Sequence, residues 1–359
     1  MKNANKYSDY INYREALANT YIKLTEQKKL KIAYFGGSIT CGGGSSGECW
    51  RTLFHKHMEE KYPNAEIEMI NAAVGGTGSS YALYRLKEDV LEKAPDLVII
   101  EYAVNDNYPG INDTATVEEY YESIIRNIYA HDPMTDIICV YTAHRFMDRN
   151  AFTSQAHDAV AAHYNINSVF FGQALLDFMA PDYKTNDEEW SKYYSDTYHP
   201  NENGYRVLVR PLIEFIDNAL ELPAGTKPAP KTILPDTLAM RVHPDPILYR
   251  ANKLEHTAGW SIEGGNLVSD EVGAECSLRF VGNELTLYSR LSPECGMIDV
   301  SIDGGDFKRY DLYSFGLSER TVLADGLGGG EHNVVIRVAE DKNPKAEGRW
   351  IKLTALMVN

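Results

Sequence analysis

The sequence predicts two domains: a parallel β-sheet layered between helices, then an antiparallel β-sandwich. Three observations carry this expectation. Up to about residue 222, short apolar runs alternate with amphipathic stretches, the β-loop-α pattern of a parallel sheet covered on both faces. A proline-rich stretch, Leu222-Pro-Ala-Gly-Thr-Lys-Pro-Ala-Pro230, then interrupts that pattern. From about Thr237 the apolar residues alternate with period two between glycine turns, as an antiparallel sandwich requires. The expected organisation is an α/β domain over 1–222, a semi-rigid linker over 223–236 and a sandwich over 237–359. A chain of 359 residues suits two domains.

In chain order, Tyr7 to Lys29 carries apolar residues at helical intervals and predicts an N-terminal helix on one sheet face. Ile32 to Phe35 is a short uncharged run, as a buried parallel strand demands, and Gly36-Gly37 permits a tight turn after it. Ser38 follows. The stretch Cys41-Gly-Gly-Gly-Ser-Ser-Gly47 predicts a flexible loop, and Glu48 to Lys61 a helix. A second strand is expected at Ile67 to Ala73, then a Val74-Gly-Gly-Thr-Gly78 turn and a helix over about Ser80 to Lys93. Asp96 to Val104 predicts the third strand, ending in Asn105-Asp106. Helices at Val117 to His131 and Thr153 to Tyr164 alternate with strands at Asp136 to Tyr141 and Ile166 to Phe170. Asn201 to Leu220 closes the unit as a helix, with Asn201 as N-cap and Gly204 a mild cost inside it. Beyond the linker, strands are expected at 284–289, 297–302, 333–338 and 350–358, with an Asp303-Gly-Gly-Asp306 turn.

Composition narrows the function classes. A net charge of −16 argues against a nucleic-acid or anionic-membrane surface, because both require concentrated positive charge. A neutral substrate fits better. The first residues, Met1-Lys-Asn-Ala-Asn-Lys-Tyr7, lack the apolar run of a secretory signal, and no stretch is long enough to span a bilayer, so a cytoplasmic protein is expected. Its five cysteines are dispersed without C-x-x-C spacing, which predicts reduced thiols rather than a disulfide framework or zinc site; no metal and no cofactor are expected.

Ser38 sits between a strand end and a helix start, at the carboxyl edge where open α/β sheets bind ligands. A phosphate-cradling glycine loop is the alternative, although the P-loop lysine and G-x-G-x-x-G spacing are missing. A serine hydroxyl needs a base to take its proton. His199 qualifies: it lies in Ser195-Asp-Thr-Tyr-His-Pro200, where Asp196 in the same loop could orient the imidazole and fix its tautomer. Taken singly, His199 could equally cap the next helix, and Asp196 could be an ordinary turn aspartate. Acyl transfer also needs donors for the developing oxyanion. Gly75-Gly76-Thr77 offers a backbone N–H and Asn105 a side-chain amide, each after a strand end.

Ser38 in Gly36-Gly-Ser-Ile-Thr40, Gly76 in Asn71-Ala-Ala-Val-Gly-Gly-Thr77, Asn105 in Val104-Asn-Asp106, and Asp196-x-x-His199 stand in the order of the four blocks of the SGNH (GDSL-like) hydrolases, which this chain resembles. The resemblance implies a flavodoxin-like three-layer fold. It also implies Ser38 as nucleophile and oxyanion donor, Gly76 and Asn105 as the other donors, His199 as base and Asp196 as its orienting acid. Two positions depart from the pattern: Gly37 stands where the family usually has aspartate, and Ala103 where it often has glycine. An ordinary α/β-hydrolase fits less well, since Thr40 replaces the second glycine of its elbow and Asp196 and His199 share one loop.

The aromatic stretch Trp190 to Tyr198 and the glycine loop suggest an open polar-aromatic cleft suited to a sugar. The two-domain order also resembles bacterial carbohydrate acetylesterases of the family 17 mannan-oligosaccharide type, whose C-terminal jelly-roll domain is like a carbohydrate-binding module. The expectation is a serine esterase that removes O-acetyl groups from hemicellulose oligosaccharides through an acyl-enzyme. A homo-oligomer is compatible with the sequence. A lipid or small-molecule esterase, and an inactive glycan-binding protein, are the alternatives.

Overall fold

The computed structural model describes residues 6–107, 112–148, 150–314 and 318–359. It divides into two units, Met1–His243 and Pro244–Asn359.

In the first unit the strands are β1 (Ile11–Asn12), β2 (Lys29–Gly36), β3 (Glu66–Asn71), β4 (Leu97–Glu101), β5 (Asp136–Val140) and β6 (Asn167–Val169). They form one sheet in the order β1-β6-β5-β4-β2-β3. The β2 to β6 pairings are parallel and β1 lies antiparallel on β6. Every residue of β4 and β5 is buried, which is why Leu97–Ile100 and Ile137–Val140 are apolar runs. The helices are α1 (Ala18–Ile22), α2 (Ser38–Cys41), α3 (Trp50–Lys61), α4 (Ser79–Asp89), α5 (Ala103–Asp106), α6 (Thr114–His131), α7 (Phe152–His163), α8 (Phe171–Phe178), α9 (Asp187–Ser191), α10 (Glu202–Leu208) and α11 (Arg210–Ala219). One core cluster joins Leu30, Ile32 and Tyr34 of β2 to Trp50 and Phe54 of α3, Leu175 of α8 and Leu212 and Phe215 of α11.

Four expectations are corrected. Tyr7 to Lys29 is not one helix, because Ile11 pairs with Val169 as an edge strand and Arg14 anchors to Asp158, Ser168 and the Ile166 carbonyl. The strand expected to run to Val104 stops at Glu101, and Ala103–Asp106 is a helical turn. The last helix breaks at Val209, where Pro211 can neither donate to Val207 nor clear its carbonyl. Gly204 is a requirement rather than a cost, since a Cβ there would lie 2.0 Å from the Tyr193 carbonyl oxygen.

The proline-rich stretch, expected as a semi-rigid linker, is hydrogen-bonded to the first unit. The Ala229 N–H donates to Asn19 Oδ1 (2.9 Å), the Lys231 N–H to the Pro133 carbonyl (2.8 Å) and the His243 N–H to Ser123 Oγ (2.9 Å). Leu238 and Ala239 donate their N–H groups to the buried Glu122 carboxylate at 2.8 and 2.6 Å. A buried carboxylate needs such donors, so this segment belongs to the first unit.

Among the described residues the second unit is built of β-strands and one 3₁₀ turn, Ala251–Lys253. Its strands are β7 (Ile247–Arg250), β8 (Glu255–His256), β9 (Ser261–Glu263), β10 (Asn266–Ser269), β11 (Glu275–Val281), β12 (Leu285–Arg290), β13 (Met297–Ile302), β14 (Lys308–Asp311), β15 (Ser318–Ala324), β16 (Glu331–Val338) and β17 (Ile351–Val358). One sheet runs β15-β12-β17-β10-β9 with β7 also on β17; the other runs β14-β13-β16-β11-β8, and all pairings are antiparallel. Leu287, Leu353 and Leu356 of one sheet share a core with Phe280, Ile298, Val334 and Ile336 of the other. The β13–β14 hairpin turns on Asp303 (φ 53°) and Gly304 (φ 72°), the paired positive φ values that match strand twist.

Candidate active site

Gly37 caps α2 in an extended conformation, so the chain leaves β2 and delivers Ser38 as the first helical residue. The Ser38 N–H therefore has no acceptor within α2. His199 Nε2 lies 2.8 Å from Ser38 Oγ, and His199 Nδ1 lies 2.7 Å from Asp196 Oδ2. With the Nδ1 proton donated to the carboxylate, Nε2 is left to accept the serine proton.

The histidine loop is built locally. Asp196 Oδ1 accepts the Tyr198 and His199 N–H groups at 2.7 and 2.8 Å, and the Ser195 N–H closes the turn on the His199 carbonyl at 2.9 Å. Trp190 donates its indole N–H to the Asp196 carbonyl at 2.7 Å. Burial alone would raise the Asp196 carboxyl, but the hydrogen bonds from His199 and the two backbone N–H groups outweigh it and hold it below its ordinary range.

The glycine loop, expected to be flexible, is instead packed on this histidine. A Cβ on Gly43 would lie 2.7 Å from His199 Cδ2, and one on Gly44 2.8 Å from His199 Cβ. The Gly43 N–H donates to the Ser38 carbonyl at 2.8 Å, and Tyr205 donates its hydroxyl to the carbonyls of Gly43 (2.7 Å) and Ile39 (3.0 Å). These bonds occupy a donor that a phosphate cradle would need.

Gly75 lies beside the nucleophile, since a Cβ on it would sit 3.6 Å from Ser38 Cβ. Gly76 next to it has φ +72° and is exposed. Asn105, on the helical turn after β4, points back at the serine turn: a Cβ on Gly37 would lie 2.0 Å from Asn105 Oδ1. In this chain a side chain at Gly37, where the resembled family usually has aspartate, would require Asn105 to move. The Asn105 oxygen has no hydrogen-bond partner among the described residues. Gly75 and Asn105 thus lie against the serine turn, and Gly76 is the residue after Gly75.

Residues the sequence did not single out support this edge. Glu101 is fully buried beneath the serine turn, where it accepts hydroxyl hydrogen bonds from Thr40 (2.8 Å) and Thr142 (2.5 Å). Burial pushes its carboxyl up, against the pull of those hydroxyls and the Gly37 N–H. Arg85 of α4 donates to the carbonyls of Ala72 (2.7 Å) and Gly36 (3.3 Å) and to the Tyr102 hydroxyl (2.6 Å), fastening the ends of neighbouring strands.

The aromatic stretch is mostly core. Trp190 and Tyr194 are buried and stacked 3.8 Å apart, and only Tyr198 at 42% is well exposed. Sequence reasoning missed a second wall, His144 and Phe146 from the segment after β5. The His144 ring lies 5.3 Å from the Tyr198 ring and 6.4 Å from that of Phe146, which is 66% exposed. His144 Nδ1 accepts the Phe146 N–H, and burial lowers its pKa to about 4, so this wall is uncharged at neutral pH. Among the described residues, no group of three or more His, Cys, Asp or Glu side chains is arranged to hold a metal ion, none of the five cysteines forms a disulfide, and no helix is long and apolar enough to cross a membrane.

The model of the GDSL-like Lipase/Acylhydrolase family matches residues 34–207. Two crystal structures of a two-domain esterase active on acetylated mannans are similar over the whole chain. The one co-crystallized with mannopentaose has a TM-score of 0.79 at 22% identity, covering 98% of this chain and 97% of that one. The other has a TM-score of 0.81 at 22% identity, covering 98% of each. At this identity the likeness shows the fold. No curated protein matches the chain in sequence.

Proposed function

We propose, from the GDSL-like lipase/acylhydrolase domain that this chain carries over residues 34–207, an esterase of SGNH type with Ser38 as its nucleophile. The observation that carries the reading is the continuous line from Ser38 Oγ through His199 to Asp196, at 2.8 and 2.7 Å. His199 takes the serine proton as Oγ attacks the ester carbonyl. The N–H groups of Ser38 and Gly76 and the Asn105 amide receive the oxyanion, where fixed donors lower the barrier most. His199 then gives its proton to the leaving alcohol, and water repeats the sequence on the acyl-enzyme to release acetate.

The leaving alcohol is a sugar hydroxyl in this proposal, on an oligosaccharide of the mannan or xylan type. Exposed Tyr198 and Phe146 offer ring faces for pyranose C–H surfaces, and the uncharged His144 between them suits a neutral substrate. The full-length fold likeness to an esterase named as active on acetylated mannans supports the same class. Mass spectrometry of acetylated manno- and xylo-oligosaccharides tests it: losses of single acetyl groups are expected. Intact oligosaccharides alongside rapid cleavage of long-chain acyl esters would make it a lipid esterase instead.

A further inference from the structure

We propose that Asp106 is the positioning residue that holds two of the oxyanion donors, Gly76 and Asn105, in register; this rests on the oxyanion reading above. The two donors follow β3 and β4, which are not neighbours, because β2 lies between them. Sheet hydrogen bonding therefore does not tie one donor loop to the other. Asp106 does. It follows Asn105 in the chain, and its buried Oδ1 accepts the N–H of Ser79, the first residue of α4 and the end of the Gly76 loop, at 2.8 Å. Gly78 in that loop is pressed on the same oxygen, since a Cβ there would lie 2.3 Å from it.

The other oxygen, Oδ2, lies 3.0 Å from Nε2 of the fully buried His157 on α7, whose ring is stacked on Tyr121 at 3.9 Å. A second bond, from the Thr153 hydroxyl to the Ala103 carbonyl at 3.0 Å, joins α7 to the turn that carries Asn105. One carboxylate thus bridges both donor segments to a rigid helix. Being sealed from solvent, it acts through them and not on substrate.

The test uses the full chain and 4-nitrophenyl acetate, with Asp106→Ala, Gly78→Ala and Asp106→Asn, and with the two alanine variants repeated in an Asn105→Ala background. Gly78 has φ −95°, which alanine adopts freely, so Gly78→Ala pushes on the carboxylate without deleting a hydrogen-bonding group, and it decides the question should Asp106→Ala fail to fold. Both alanine variants should lower kcat by about 10- to 100-fold with KM within about threefold, as misplaced donors do. Combined with Asn105→Ala, each should cost clearly less than it does alone, because one of the two donors it positions is already gone and only the displacement of Gly76 remains. Asp106→Asn should stay within about fivefold of wild type. Its amide oxygen still accepts the Ser79 N–H, and its NH₂ can donate to His157 Nε2 once that ring's proton moves to the unpartnered Nδ1. A Gly78→Ala enzyme with wild-type kcat, or losses that multiply fully in the Asn105→Ala background, would overturn the inference and leave the esterase reading intact. Wild-type kcat in Asn105→Ala alone would overturn the oxyanion reading, and this inference with it.

Discussion

Two of the aspartate–histidine pairs in the first unit differ in almost everything except their chemistry. Asp196 and His199 share one loop, with 53% and 26% of their side chains exposed and a contact of 2.7 Å. Asp106 and His157 come from α5 and α7, are 2% and 0% exposed, and meet at 3.0 Å. In the first pair the far imidazole nitrogen faces Ser38 Oγ; in the second it has no partner among the described residues. A carboxylate beside an imidazole is thus not in itself a catalytic device. What the second nitrogen meets, and whether a substrate can arrive there, separates a base from a brace.

The largest expected effect breaks the comparison on the reactive side. Ser38→Ala or His199→Ala should lower kcat by about 10⁴-fold or more with the fold intact, because each removes the nucleophile or its base. Steady-state rates on an activated acetate ester check this, and near-wild-type turnover in either variant would end the proposed mechanism. Next, Asn105→Ala should cost about 10²- to 10³-fold in kcat with little change in KM, as for a donor that tightens on the oxyanion. A change confined to KM would reassign Asn105 to substrate binding.

Exchanging aspartate for asparagine sharpens the contrast most directly. Asp196→Asn should lower kcat heavily, though less than loss of the base itself, since an amide favours the wrong His199 tautomer. The same exchange at Asp106 should be nearly silent. Equal losses from the two exchanges, measured side by side, would abolish the distinction.

The smallest effect concerns stability. Burial holds His144 at a pKa of about 4, below the ordinary 6.5, so the unfolded chain takes up this proton before the folded one. Unfolding is therefore favoured progressively as pH falls from about 6.5 to about 4, by at most about 3 kcal/mol. His144→Asn should flatten that limb of the stability curve in urea titrations, and an unchanged slope would mean that His144 does not govern it.

The sequence by itself determined what is local. Ser38 stands where an apolar strand meets glycines, and Asp196 sits three residues before His199, so both the strand-end serine and the acid–base loop were readable from spacing alone. Period-two alternation likewise gave the strands that became β12, β13, β16 and β17. Tertiary structure decided the rest, because those features depend on partners far apart in the chain. Asp106 and His157 are 51 positions apart and leave no spacing to recognise. Glu101 read as one more strand residue until Thr40 and Thr142 were seen to converge on it. Trp190 and Phe146 are similar in hydrophobicity, yet one stacks in the core and the other stands in solvent. The proline-rich stretch read as a semi-rigid linker because composition records stiffness and not the Asn19, Ser123 and Glu122 groups that bind it and the residues after it. Burial and long-range hydrogen bonding are properties of the folded arrangement. A linear pattern encodes which residues can make such contacts, and only the packing of the elements selects which of them do.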